Sequence, residues 1–87
     1  MNTEKECEQI FDSLRKVLFY VGHGKYNDYM TLEEVQAIKT TLEKILDIEK
    51  EYEQTTTIEE KELIYKRLEP FKTFSIKDFI DYKIETI

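Results

Sequence analysis

The chain has 87 residues but only one cysteine, one proline, one histidine, two glycines and no tryptophan. A single Cys7 excludes a disulfide within the chain and a zinc site built from four cysteines. Scarce glycine and proline, with no low-complexity tract, argue for a folded chain although 37% of residues are charged. No apolar run approaches ~18 residues, so no membrane span is expected. The start Met1-Asn2-Thr3-Glu4-Lys5-Glu6 is too charged for a signal peptide, and the expected location is the cytoplasm. Basic runs are lacking too, the longest being the pairs Arg15-Lys16 and Lys66-Arg67. Direct nucleic-acid binding needs a basic footprint on phosphates and is not expected. The balance runs the other way, with 13 basic and 19 acidic side chains and a net charge of −6.

What is present is helical periodicity. Cys7, Ile10, Leu14, Val17 and Val21 recur at spacings of three and four, with Phe11 and Leu18 widening the stripe. This predicts a helix over about residues 3–21, stopped by Gly22 in a left-handed conformation. Residues 22–30 carry both glycines with Asn27 and Asp28 and have no period, so they are expected as a loop. Thr31 and Glu34 form a capping box, opening a second helix over about 32–54. Its stripe is Val35, Ile38, Leu42, Ile45 and Tyr52, with Glu49 where an apolar residue would continue it.

Thr55-Thr56-Thr57 breaks the pattern, and Thr57 with Glu60 opens a third helix over about 58–69. Ile58, Ile64, Tyr65 and Leu68 fit its inward face, Leu63 falls outside it, and Pro70 ends it. Ser75 and Asp78 then start a short helix carrying Ile76, Phe79, Ile80, Lys83, Ile84 and Ile87. The fold class is therefore all-α: one domain over 1–87, a small bundle of about four helices, two long and two short. The competing reading makes 71–76 an extended stretch through Phe71, Phe74 and Ile76.

Catalytic and cofactor motifs are absent. His23 stands alone between two glycines, with only Asp28 nearby as a second ligand, and Gly22-His23-Gly24-Lys25 has too few glycines to cradle a phosphate. Cys7 sits on an apolar stripe about 24 Å along the helix from His23, too far for a nucleophile pair, so a buried structural thiol is expected. No cofactor, no metal and no enzymatic activity are expected.

Two features point to a protein partner instead. Six tyrosines and five phenylalanines are many for this length, and Tyr20, Tyr26 and Tyr29 gather with Met30 around the first loop. Tyrosine is enriched in binding hot spots because it buries a large ring at low entropic cost. The second candidate is the acidic end of helix 2, where residues 31–54 sum to −4 (3 basic, 7 acidic) and Glu43, Asp47 and Glu51 share a face at spacings of four. Those acids could also mimic a nucleic-acid backbone, but interleaved lysines weaken that reading. The expectation is a small acidic inhibitor, immunity protein or accessory regulator. The alternative is a structural homo-oligomer built on the heptad stripes of helices 1 and 2. Because the heptad breaks at Glu49, a monomer is expected, or a weak homodimer using Phe11 and Leu18 as exposed additions to the stripe. Abundant Ile, Lys, Glu and Tyr point to an AT-rich genome, such as that of a phage or a low-GC bacterium.

Overall fold

The structure is a computed structural model and describes residues 2–81. It contains α1 (Thr3–Gly22), α2 (Leu32–Glu53), α3 (Ile58–Leu68), a 3-10 turn (Glu69–Thr73) and α4 (Ile76–Asp81), with no strand among the described residues. The expected positions Lys83, Ile84 and Ile87 of the last helix lie outside the described residues.

Helix starts follow side-chain chemistry. Thr31 accepts the amide of Glu34 at 3.1 Å while Glu34 Oε1 accepts the amide of Thr31 at 2.9 Å, a reciprocal box. Thr57 caps α3 through the amide of Glu60, and Asn2 caps α1 through the amide of Lys5. Ser75 and Asp78 exchange the same pair of bonds at 2.7 and 3.4 Å. Each such cap contributes roughly 1 kcal/mol by occupying amides that a helix start leaves without partners.

Helix ends depart from expectation in two places. Gly22 is the last helical residue and has no left-handed conformation; the positive φ, +81°, belongs to Gly24. His23 caps the end, its amide donating to the carbonyls of Phe19 and Tyr20. Pro70 does not stop the helical path. α3 ends at Leu68 and the chain winds on as the 3-10 turn, with Pro70 in its first turn, where a missing amide proton costs little. The extended reading of 71–76 fails for the same reason: Phe71 is buried in that turn, and its ring meets Phe74 edge-on at 5.1 Å.

The core lies where α1 faces α2 and α3, with α4 packed on α2 and burying Phe79. Cys7, Phe11, Ile38, Leu42, Ile45 and Leu68 are at most 1% exposed. Phe11, expected as an exposed addition to the stripe, is among the most deeply buried residues and packs against the Tyr52 ring at 5.7 Å. Ile58 departs in the opposite sense. It is 52% exposed, because the first residue of α3 stands clear of the face carrying Ile64 and Leu68. Leu63, outside the stripe, is exposed as expected.

Glu49 breaks the stripe of α2 because it is paired: Arg15 of α1 donates to its carboxylate and also to Asp12. Other ion pairs between elements among the described residues are Lys61 to Glu4, Arg67 to Glu51 at 3.0 and 3.3 Å, and Lys72 to Glu6 at 3.7 Å. All join α3 and the turn after it to one end of the α1–α2 hairpin. The body is elongated, 43 × 23 × 20 Å.

Candidate functional site

The opposite end of the hairpin, formed by the last turn of α1, the connecting loop and the first turn of α2, carries the aromatic candidates. Here the loop is a set of hydrogen-bonded turns: Lys25 N–H donates to Tyr20 O, Asn27 to Gly24 O and Tyr29 to Tyr26 O, at 3.0–3.1 Å. Its rings join in a chain. His23 stacks on Phe19 at 4.0 Å with Nδ1 2.8 Å from the Phe19 carbonyl, and Phe19 meets Tyr20 edge-on at 5.8 Å. Lys25 Nζ lies 4.3 Å from the Tyr20 ring centre and 5.7 Å from that of Tyr26. At an exposed site such a cation–π contact contributes about 0.5–1 kcal/mol, enough to order the rings around the lysine.

The four candidates at this tip separate by burial. Tyr29 is 83% exposed and Tyr20 is 43% exposed, whereas Tyr26 and Met30 are half-buried against the core. Reasoning from the sequence missed Phe19 and Leu32, which are 57% and 81% exposed. The signal was present: both lie off the inward stripe of their helix, and an apolar residue off the stripe faces water.

Beside these rings runs a shallow cleft of about 480 Å³, lined by Val21, Gly22, Leu32, Val35, Gln36 and Lys39 among others. Gly22 leaves its floor open, since a methyl group built there meets nothing within 4 Å.

The acidic candidates do not form a shared free face. Glu51 holds Arg67 of α3, which keeps its carboxyl below the ordinary range through the hydrogen bonds first and the charge second. Asp47 lies 3.9 Å from Lys50, and Glu43 is exposed without a partner among the described residues. The net charge is instead unevenly spread along the sequence. Residues 15–39 hold four basic and three acidic side chains, +1, while the remainder holds nine and sixteen, −7.

Cys7 is fully buried, and burial, reinforced by Glu6 and Glu8, pushes its thiol above the ordinary value. Among the described residues no three His, Cys, Asp or Glu side chains gather as they would to hold a metal ion. Among the described residues no helix is long and apolar enough to cross a membrane.

Fold and geometry define a small all-α bundle with an aromatic tip and an acidic far end. No family model matches the chain, and neither the curated proteins nor the solved structures contain a significant match to it.

Proposed function

We propose that the protein acts by binding another protein through the aromatic tip of the α1–α2 hairpin, as a cytoplasmic, non-enzymatic inhibitor, immunity protein or accessory regulator. One observation carries this reading. Of the six large apolar side chains exposed among the described residues, four (Phe19, Tyr20, Tyr29 and Leu32) come from residues 19–32. Exposed apolar residues scattered singly are ordinary, whereas three exposed rings supplied by one end of the hairpin are the residue type that anchors interfaces. The alternative homo-oligomer needs free heptad stripes. Here Ile38, Leu42 and Ile45 are fully buried within the chain's own core, which favours the tip.

The test is affinity capture from the native host with three baits: wild type, Phe19→Ala/Tyr29→Ala, and Glu43→Lys/Asp47→Lys. Both residues of the tip pair are exposed, so the fold should survive their loss. A prey held by wild type and by the charge-reversed bait, but weakened by about 2 kcal/mol or more at the tip bait, is the expected result. A prey lost only from the charge-reversed bait, and lost from wild type with added salt, would move recognition to α2. No specific prey for wild type would remove the reading.

A further inference from the structure

We propose that α4 is an exchangeable arm, which lifts from α2 about Phe74 and Ser75 and takes the same seat on a second copy of this chain. The exchange stands apart from the binding function above, since no residue of the aromatic tip enters it.

The chain is fastened by polar side chains as far as the 3-10 turn. Lys61 pairs with Glu4 and Arg67 with Glu51, while Lys72 pairs with Glu6 at 3.7 Å and donates to the Tyr65 hydroxyl at 3.2 Å. These bonds reach α1, α2 and α3 in turn. Beyond Lys72 they stop. Among the described residues Lys77 and Asp81 have no ion pair or hydrogen bond to another element, and Asp78 bonds to Ser75 at its own helix start. There the Ser75 amide donates to Asp78 at 2.7 Å and the Asp78 amide donates to Ser75 at 3.4 Å. The cap therefore travels with α4 and survives when the helix leaves its seat.

The seat itself is apolar. α4 rests on α2, Phe79 is 2% exposed, and Ile76 and Ile80 pack partly buried against the core. Between the fastened turn and the self-capped helix stand two residues, Phe74 and Ser75, and Phe74 is already extended at φ −67° and ψ 133°. A rotation there gives up apolar contacts, and an identical α2 restores every one of them. A short connector of this kind invites exchange of the element it carries.

Because exchange conserves contacts, concentration decides its extent. A short connector holds its own α4 near α2 at an effective concentration on the order of 1 mM. Closed monomers therefore dominate at micromolar concentration, and reciprocal dimers form as the chain approaches millimolar. Such a dimer needs no free heptad stripe, because each copy fills the seat that the other has vacated.

The test uses the full chain, refolded from urea at about 5 μM and at about 1 mM and sized at those concentrations by sedimentation and X-ray scattering. A compact dimer is expected in the concentrated sample alone. In a mixture of ¹⁵N- and ¹³C-labelled chains, isotope-filtered nuclear Overhauser contacts should join Phe79 of one copy to α2 of the other. Inserting about four Gly and Ser residues after Phe74 leaves the cap and seat intact and should lower the dimer fraction by about threefold or more. In the dilute sample, amides of residues 78–81 should exchange at least about tenfold faster than those of residues 41–48, as an arm that lifts alone requires. A chain that stays monomeric at the higher concentration would overturn the exchange. So would a dimer whose inter-chain contacts lie at Phe19 and Tyr29, or equal protection of 78–81 and 41–48. An undiminished dimer in the lengthened chain would also overturn it, by showing that the copies meet without moving α4.

Discussion

Two glycines separated by one residue should respond to the same substitution with opposite sign. At Gly22 alanine enters a helical residue whose new Cβ meets nothing within 4 Å. The gain is one of conformational entropy, as alanine has fewer unfolded states to lose; it should amount to roughly 0.5–1 kcal/mol. At Gly24 φ is +81°, and a Cβ there would lie 3.0 Å from Asn27 Nδ2. A left-handed alanine costs roughly 1–2 kcal/mol, with a further small cost for shifting the amide. For a domain of this size 1 kcal/mol moves the thermal midpoint by about 4–8 °C. The two variants should therefore straddle wild type by several degrees in melting followed by circular dichroism at 222 nm, with urea titration as the isothermal check. A Gly22→Ala protein less stable than wild type would refute the assigned helix end. A Gly24→Ala protein as stable as wild type would refute the left-handed turn.

Further outcomes follow from burial and charge. Leu14→Asp and Leu42→Asp should each leave the chain largely unfolded, because these side chains are 3% and 0% exposed. The combined loss of packing and burial of a carboxylate approaches the whole stability of about 4–13 kcal/mol, and retained helical dichroism with a wild-type midpoint would contradict the core. The Cys7 thiol, buried and raised in pKa, should resist a disulfide reagent at about pH 8 in the native state and react fully in urea. Immediate native reaction would show that the α1 face is open. Glu51 has a lowered folded-state pKa, so its stabilisation is present above the unfolded carboxyl value of about 4.3 and is lost as pH falls through the lower folded value. Since the pair is more than one-third exposed, Arg67→Met should cost only about 0.5 kcal/mol at neutral pH, shrinking towards zero in acid. Urea midpoints measured at both pH values check this.

The helix starts were legible because they are written in adjacent residues: Thr31 with Glu34, Thr57 with Glu60 and Ser75 with Asp78 all cap as their chemistry suggests. Stripes were legible where period and packing agree, as at Ile10, Leu14, Ile38 and Leu42. What could not be read depends on contacts distant in the chain. Glu49 looked like a gap in a seam until Arg15 arrived from α1, and Glu51 looked like open acidic surface until Arg67 arrived from α3. Gly22 was expected to turn left-handed because it directly follows the stripe ending at Val21, and local pattern does not tell it from Gly24, which takes the positive φ. The tip was half legible. Tyr20 and Tyr29 are exposed, but Tyr26 and Met30 are partly drawn into the core, and Phe19 and Leu32 complete the exposed cluster.

The ties along α1 span short stretches of chain at the tip and much longer ones towards the far end. Near the tip Val21 shares a cleft with Leu32 and Val35, close neighbours across one short loop. Midway, Arg15 and Glu49 are 34 residues apart, and at the far end Glu4 and Lys61 are 57 apart. Closing a longer loop costs more entropy, by about 0.6 kcal/mol per doubling, so the hairpin can close upward from its loop before the far end is pinned. Opening follows local burial, so the tip, where Phe19, Tyr20, Tyr29 and Leu32 are exposed, should loosen before the stretch of α1 that buries Cys7, Ile10, Phe11 and Leu14. Amide exchange should grade along α1 in that order, fastest beyond Arg15 and slowest around Phe11. The surface offered for binding is thus the part of the hairpin most free to adjust to what it meets.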